Sequence, residues 1–230
     1  MTTDFLALQQ RLGHRFANPR LIERALTHRS FSSDHNERLE FLGDAVLGLA
    51  VSSLLFEKLN QLPEGDMSRV RANLVKQDSL AQIAVRLGLS SCLRLGDVEK
   101  RSGGTRRPSI LADALEALIG AVYLDAGFET AQALVQRLYA DVQWHDQMGA
   151  MGKDPKTELQ EWLQGRKMKL PLFRVVASLG EAHKQTFDVE CTVVETGHCE
   201  RGIGASRRAA EQAAAAAMLQ HLQDGAASGA

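Results

Sequence analysis

Three acids lie in an otherwise apolar stretch of the chain, residues 36–48, whose sequence is NERLEFLGDAVLG. They are Glu37, Glu40 and Asp44. On an α-helix, with about 100° of rotation per residue, Glu40 lies about 60° and Asp44 about 20° from Glu37, so all three share one stripe. The other residues are almost all apolar, which predicts a helix buried on most sides. Carboxylates placed there repel one another and lose hydration, so a cation or protonation has to relieve them.

A second apolar stretch, residues 110–124, carries acids in a similar way, because Asp113 and Glu116 are its only charged residues. Their i, i+3 spacing places them side by side on one helix face. Two such helices can bring four carboxylates together in the core of a bundle. Oxygen-only ligands suit a hard divalent ion better than zinc, which favours Cys and His. The two stretches therefore predict a Mg²⁺ site, at which Mn²⁺ would be able to substitute.

Glu37 has two interpretations. Asp34 and Glu37 have the spacing of a capping box, in which the Glu37 carboxylate would accept free amide hydrogens at the start of the helix. Alternatively, Glu37 takes a direct catalytic part beside the other acids of its stripe. The sequence leaves both interpretations open.

The sequence resembles bacterial ribonuclease III over nearly its whole length. The resemblance is carried by residues 36–48 and by ALTHRS at 25–30, EGDMSRVRANLV at 64–75 and SILADALEALIGAVYLD at 109–125. It implies that the metal-site carboxylates are Glu40, Asp44, Asp113 and Glu116. Asp44 and Glu116 are then the catalytic residues whose loss should be most damaging, with Glu37 as the third catalytic candidate.

The resemblance also implies a reaction, the hydrolysis of phosphodiester bonds in double-stranded RNA to leave 5′-phosphate and 3′-hydroxyl ends with short 3′ overhangs. Ribosomal RNA precursors, some mRNAs and tRNAs are the expected substrates. Two divalent ions about 4 Å apart could activate water, neutralise the phosphoryl oxygens and stabilise the leaving 3′ oxygen. A homodimer through the catalytic domain is implied as well, so that each subunit cuts one strand. Phe41 is then either a dimer contact or a core residue.

Composition limits the interpretation less than the motifs do. The chain has 230 residues, of which 44% are hydrophobic, which allows one or two globular domains. Its net charge of −1 does not indicate a nucleic-acid partner, so an RNA-binding surface must come from local arrangement. No segment reaches about 18 apolar residues, so we expect no export and no membrane partner, and a cytoplasmic location.

The cysteines point to the same compartment. Cys92, Cys191 and Cys199 have no metal-ligand spacing and fit reduced thiols. Cys191 and Cys199 could face one another across paired strands, or they could be separate small residues of a core or an edge.

Apolar spacing divides the chain into two parts. It predicts an all-α N-terminal endonuclease domain, a helical bundle, at residues 1–145, and a linker without periodicity at 146–153. The helices of the first part are expected at 5–12, 19–26, 37–59, 65–87 and 109–121. Residues 154–224 predict a small α+β domain of order α-β-β-β-α. Its strands are expected at 172–179, 186–194 and 199–204, between helices at 157–165 and 206–222.

The start of the last helix has the chemistry of a phosphate-binding site. Ser206 is the expected N-cap, and Arg207 and Arg208 add two guanidinium groups to the free backbone amides. With the strand order, this segment looks like part of a double-stranded-RNA-binding domain. The resemblance then assigns minor-groove contacts to Thr157, Glu158, Gln160 and His183, and makes residues 101–107 candidates for contacts with the RNA backbone.

Few positive charges follow this cluster, because Ala209 and Glu211 stand where such domains often continue with basic residues. We therefore expect weak, salt-sensitive RNA binding by this domain alone. A non-cleaving regulator or RNA chaperone that binds double-stranded RNA is the alternative function, but it does not need four acids in apolar helices. A di-metal oxidoreductase is disfavoured because neither acidic helix has a Glu-x-x-His pair.

Overall fold

Helices build the whole first part of the chain in the computed structural model, which describes residues 3–145, 148, 153–179 and 185–227. The chain divides into two compact units, Met1–Met151 and Gly152–Ala230. Within the described residues, the first unit contains α1 (Thr3–Leu12), α2 (Pro19–Ala25), α3 (Glu37–Lys58), α4 (Glu64–Val75), α5 (Gln77–Arg86), α6 (Asp97–Arg101) and α7 (Pro108–Leu138). Short 3₁₀ turns at Leu89–Ser91 and Gly104–Arg106 connect some of them.

Helices α3 and α7 form the centre of this unit, and two glycines let them approach closely. A Cβ atom on Gly43 would lie 1.8 Å from the carbonyl oxygen of Glu116, and one on Gly120 would lie 2.4 Å from that of Leu39. No side chain can occupy either position without moving a helix. Around this contact, the buried apolar side chains of both helices fill one core. The close approach brings the acid-bearing segments of the two helices against each other.

Three details differ from the sequence prediction. The helix expected over residues 65–87 is two helices, because Lys76 has extended backbone angles between α4 and α5. Helix α7 continues beyond residue 121 to Leu138, across a kink at Gly127 with φ of 81°. The five-residue helix α6 was not predicted, since one turn and a half is too short to show periodicity.

The second unit has the predicted order of elements. It consists of α8 (Pro155–Gly165), β1 (Leu172–Leu179), β2 (Thr186–Val193), β3 (His198–Gly204) and α9 (Arg207–Ala227). The strands form an antiparallel sheet of order β1-β2-β3, and α8 and α9 cover one face around a core that includes Leu159, Val193 and Met218. Small residues allow α9 to lie close to β3, where a Cβ on Gly202 would be 2.1 Å from the backbone nitrogen of Ala214. The predicted fold class, a helical domain followed by an α-β-β-β-α domain, is confirmed.

Helix α3 is the one described helix that is long and apolar enough to cross a membrane by length and composition. It carries Glu37, Glu40 and Asp44, and Leu47, Val51 and other apolar residues pack inside the first unit. We therefore assign α3 to the core of that unit, where high mean hydropathy has the same cause as in any central helix.

The two cysteines of the sheet do not face each other. Cys191 of β2 is opposite Glu200, and Cys199 of β3 is opposite Thr192. Neighbouring positions of a strand point to opposite faces, so Cys191 is buried under the helices and Cys199 is exposed on the other side. The interpretation that they face one another is wrong, and both are free thiols.

Candidate active site

Three of the predicted metal-site acids lie together between α3 and α7. Oxygen atoms of Glu40, Asp113 and Glu116 all lie within 4.8 Å of one another, and each side chain is half-buried. Glu40 comes from α3, and the other two come from one face of α7, as their spacing predicted. The contact at Gly43 holds the two helices close enough for these carboxylates to meet. The donor set is made only of oxygen, and it has the spacing to hold a divalent cation.

Electrostatics in this cluster disfavour three separate negative charges. Burial raises the pKa of Glu116 to about 8, and the nearby charges of Asp44, Asp113 and Glu40 add to the effect. Burial also raises the pKa of Glu40, together with Asp113, Glu37 and Asp44. The pKa of Asp113 is raised by burial against an opposing contribution from His28. A bound cation would remove this repulsion, which is the physical sign of a fit between these residues and a metal.

Asp44 and Glu37 lie beside the cluster rather than within it. Both are exposed, and neither belongs to the group whose oxygens meet within 4.8 Å. Asp44 is nevertheless near enough to raise the pKa of Glu116, and Glu37 acts in the same way on Glu40. The structure thus brings all five acids to one region, with oxygen atoms of three of them within 4.8 Å of one another.

The capping-box interpretation of Glu37 does not hold among the described contacts. Helix α3 begins at Glu37 itself after Asn36, and Asp34 pairs with Arg24 at 3.0 Å instead of capping the helix. The Glu37 carboxylate lies 3.4 Å from an Arg29 guanidinium nitrogen and 3.8 Å from Nδ1 of His35. Glu37 is therefore a partly neutralised acid at the edge of the site.

A depression of about 590 Å³ adjoins the cluster, and the acids Glu37, Glu40 and Asp113 are part of its lining, whereas Asp44 and Glu116 are not. Its lining comes from three parts of the first unit: His28, Arg29, Ser30, Asn36, Glu37, Glu40, Glu99, Arg107, Ser109, Ile110 and Asp113. Arg107 lies in the segment predicted to contact RNA, and it pairs with Glu99 at 2.6 Å. Sequence reasoning gave no role to His28 or Glu99. Their only signal was that His28 lies within the ALTHRS segment and that Glu99 precedes the basic loop.

The predicted phosphate-binding end of α9 is formed as expected. The Ser206 hydroxyl accepts a hydrogen bond of 3.1 Å from the backbone nitrogen of Ala209, which makes Ser206 the N-cap. Arg207 and Arg208 follow on the exposed surface. The Arg207 guanidinium is 3.0 Å from Glu211, so part of its charge is offset within the helix.

The start of α8 lies next to the start of α9. The backbone nitrogen of Lys156 donates to Gln212 at 3.0 Å, and its ammonium group is 2.7 Å from Glu211. Thr157, Glu158 and Gln160, all half-buried, therefore share one edge of the unit with the arginines of α9. His183 lies outside the described residues.

Comparison with known proteins gives the same two parts. Residues 18–142 match a family model described as Ribonuclease-III-like, and residues 155–222 match one described as Double-stranded RNA binding motif. The chain belongs to the ribonuclease III family. Two relatives named Ribonuclease 3 support this assignment over nearly the whole chain. That of Albidiferax ferrireducens is 71% identical over 97% of this chain and 98% of its own, and that of Variovorax paradoxus is 70% identical over the same shares.

Solved ribonuclease III structures resemble the first unit. The nuclease domain from Campylobacter jejuni is 44% identical with a TM-score of 0.58, and the match covers 62% of this chain and all of that one. A second structure of that domain, 50% identical with a TM-score of 0.57 over 57% of this chain and 93% of that one, is described as flexible in a region involved in dimer formation. Ribonuclease III activity, endonucleolytic cleavage of double-stranded RNA, follows for this chain, and with it the use of a divalent metal ion.

Proposed function

We propose that this ribonuclease III cleaves double-stranded RNA with Mg²⁺ held by Glu40, Asp44, Asp113 and Glu116, with Mn²⁺ able to replace it. The observation that carries the proposal is the meeting of three carboxylates within 4.8 Å across the α3–α7 contact. Asp44 lies on the α3 stripe beside them and would complete the ligand set. The products are RNA ends with 5′-phosphate and 3′-hydroxyl groups and short 3′ overhangs.

The protein side chains have distinct parts in this reaction. When bound, the metal supplies the activation of water and the neutralisation of charge on the phosphate and on the leaving oxygen. Glu40, Asp113 and Glu116 hold the site in a fixed geometry because they come from two packed helices rather than from loops. Glu37, beside Arg29, stands at the rim of the site, where it can orient water or substrate.

The second unit holds the duplex. Arg207 and Arg208 would contact phosphates across the major groove from the start of α9, and Thr157, Glu158 and Gln160 would reach a minor groove from α8. His183 would reach the other minor groove. A-form RNA displays its 2′-hydroxyl groups in the minor groove, which is how such a surface distinguishes RNA from DNA.

A homodimer through the catalytic domain would place one such site against each RNA strand. Helix α3 supports it, because Phe41 is 81%, Leu49 56% and Phe56 74% exposed along one side of the helix. Large apolar side chains in a row on a surface are typical of a buried interface. Packing of Phe41 into the core of its own unit, the alternative interpretation, is wrong at that exposure.

In the cell, we assign the enzyme to the cytoplasm and to the processing of ribosomal RNA precursors, with some mRNAs and tRNAs. Residues 1–145 would be the catalytic domain, 146–153 the linker and 154–224 the RNA-binding domain. These assignments rest on the activity of the family rather than on a particular contact.

The test is cleavage of a labelled long RNA duplex, with Mg²⁺ or with EDTA, by the wild type and by Glu116→Gln. We expect cutting of the duplex that needs Mg²⁺ and spares single-stranded RNA. Removing one ligand should slow it by at least about 100-fold while duplex binding in a gel shift is retained. Glu57→Gln is the matched control, since Glu57 is an exposed acid near the other end of α3. This variant should cleave the duplex at the wild-type rate.

Two results would contradict the proposal. Binding without cutting by the wild type would favour the non-cleaving regulator. Full activity of Glu116→Gln would exclude Glu116 from the metal site even if the enzyme cuts.

A further inference from the structure

Backbone hydrogen bonds hold His28 in place at the edge of the active-site depression. The backbone nitrogen of His28 donates to the carbonyl of Arg94 at 3.0 Å, and the nitrogen of Arg94 donates to the carbonyl of Leu26 at 2.8 Å. These bonds form a parallel bridge between Thr27 and Arg94. The segment that precedes α3 is thereby tied to the segment that precedes α6, and the Cα of His28 is fixed.

The imidazole ring of His28 is fixed as well, and its proton can be assigned. The backbone nitrogen of Ser30 lies 3.2 Å from Nδ1 of His28, and a backbone N–H can only donate. The Ser30 hydroxyl is 2.8 Å from the same Nδ1 and accepts from the backbone nitrogen of Gly96 at 3.0 Å, which leaves its own hydrogen for the ring. Since Nδ1 accepts, the neutral imidazole carries its hydrogen on Nε2.

Gly96 is part of this arrangement for a steric reason. A Cβ atom there would lie 2.4 Å from the carbonyl oxygen of Ser30, so only glycine lets the two segments approach this closely. The chain thus uses Gly96, Ser30 and a backbone bridge to orient one half-buried histidine. The Nε2 atom of that histidine has no hydrogen-bond partner among the described residues.

His28 is one of the residues that line the depression beside the carboxylates. Glu40 and Asp113 line the same depression, so His28 lies beside two of the carboxylates. The other charged groups on this side are Arg29, Glu37, Glu99 and Arg107, and these are engaged in the pairs Arg29–Glu37 and Arg107–Glu99. An oriented N–H group beside a metal site, with its neighbours already paired, is arranged to meet a bound anion.

We propose that His28 contacts the substrate, its Nε2–H donating a hydrogen bond to a non-bridging phosphate oxygen of the RNA strand that enters the depression. The inference rests on the proposed function and adds a contact to it. Phosphate is the favoured partner because the carboxylates mark where a phosphate must lie, and because most protein contacts to a duplex are to its backbone.

Two substitutions of His28 distinguish the contribution of Nε2 from that of Nδ1. In His28→Gln the side-chain amide nitrogen can reach the place of Nε2, whereas in His28→Asn the amide fills only the place of Nδ1. Under single-turnover conditions with Mg²⁺, we expect His28→Asn to cut roughly 10- to 100-fold more slowly, the range for a lost hydrogen bond to a charged group. His28→Gln should recover most of the rate. His145→Asn, the same change at an exposed site, is the control and should cut normally.

A second measurement tests the contact independently of folding. Duplexes carrying a single sulfur in place of one non-bridging oxygen, at each phosphate near the cut in turn, are cleaved by the wild type and by His28→Asn. We expect one oxygen whose replacement slows the wild type several-fold and does not slow His28→Asn further. Ser30→Ala, which keeps the ring but removes its hydroxyl anchor, should show a reduced sulfur effect at the same oxygen.

The outcomes are distinct from those of the proposed function. If the wild type does not cut, the proposed function fails. If it cuts and His28→Asn cuts equally fast, only the inference about His28 fails. Equal sulfur effects in both proteins at every phosphate would overturn the phosphate contact. It would also be overturned if a 2′-deoxy substitution, and no sulfur substitution, slowed the wild type but not His28→Asn. Thermal unfolding of each variant shows whether slower cleavage reflects a destabilised fold. If His28→Asn is destabilised, the sulfur effect in Ser30→Ala tests the phosphate contact instead.

Discussion

Glu116 shows why the folded protein favours a bound metal ion. Its carboxylate is held between two helices, near Asp44, Asp113 and Glu40, and burial raises its pKa to about 8. In the unfolded chain the same group ionises near 4.5. Proton and cation therefore compete for one place, and folding favours whichever is available.

This competition predicts a pH dependence of stability. In EDTA, the folded protein holds a proton on Glu116 that the unfolded chain has lost, so the free energy of unfolding should fall as pH rises from about 4.5 to about 8 and level off above. Thermal unfolding at intervals across that range measures it, with Glu116→Gln for comparison. The variant should lack this part of the fall, and at pH 9 without metal it should be more stable than the wild type.

Mg²⁺ should change that profile in the wild type, because binding removes the repulsion that protonation otherwise relieves. The stabilisation by Mg²⁺ should therefore be larger at pH 9 than at pH 6. Equal stabilisation at both values, or an unchanged profile in Glu116→Gln, would show that Glu116 is not the titrating ligand.

Among single residues, the acids could be predicted from the sequence and His28 could not. Carboxylates at helical spacing in apolar segments have few explanations, so Glu40, Asp113 and Glu116 could be placed on one site before any coordinates. The spacing alone could not show that Asp44 lies beside the tight group, since that depends on the distance between helices. The orientation of His28 depends on Ser30 and Gly96, of which Gly96 is far away in the sequence, and one histidine in a polar segment has no periodicity to mark it.

The α3–α7 contact sets the geometry of the site at the scale of whole elements. Gly43→Ala would place a methyl group 1.8 Å from the carbonyl oxygen of Glu116, so the helices must separate. We expect a loss of about 3 kcal/mol in the free energy of unfolding, as for severe overpacking, together with weaker metal-dependent cleavage. Urea unfolding and single-turnover cleavage measure the two effects.

Gly48→Ala is the matched control in the same helix. Nothing lies within 4 Å of a Cβ atom at Gly48, so the higher helix propensity of alanine should stabilise the protein by up to about 1 kcal/mol. Opposite signs for the two variants are expected. Equal effects would mean that helix propensity, and not the close approach, determines the result.

Periodicity located the main elements but not all of their ends. The apolar pattern continues through residues 65–87, so it could not show the extended backbone at Lys76 that separates α4 from α5. It likewise gave an early end to α7, because the kink at Gly127 changes the direction of the buried face. Strand β1 was predicted to the residue, since Val175 and Val176 mark its middle, and Pro171 and Gly180 flank it in the sequence.

At the scale of the whole molecule, a net charge of −1 is compatible with RNA binding because the basic groups are local. Arg207 and Arg208 begin α9, while Glu211 pairs with both Arg207 and Lys156 and offsets part of their charge. The hydrogen bond from Lys156 lowers the pKa of Glu211, against opposing burial, with help from Arg207. The carboxylate thus stays charged and weakens the field that attracts phosphate.

The salt dependence of duplex binding should report this balance. Measured in the Glu116→Gln background, which binds without cutting, Arg208→Ala should reduce the slope of log affinity against log salt by about one. Glu211→Gln should make the slope steeper and raise affinity at low salt. Glu200→Gln is the control, because Glu200 pairs with His221 near the other end of α9. Identical slopes for all four proteins would exclude the start of α9 from the RNA contact.

The glycine contact between α3 and α7 has a consequence for protein design. The two helices meet backbone against backbone at Gly43 and Gly120. The spacing of the carboxylates is therefore set by main-chain packing rather than by neighbouring side chains. A designer who transplants Glu40, Asp44, Asp113 and Glu116 into an artificial helical bundle must carry both glycines with them. Acids grafted onto helices at the usual 8 to 10 Å axial separation would start from a different spacing and would need other rotamers to meet at one ion.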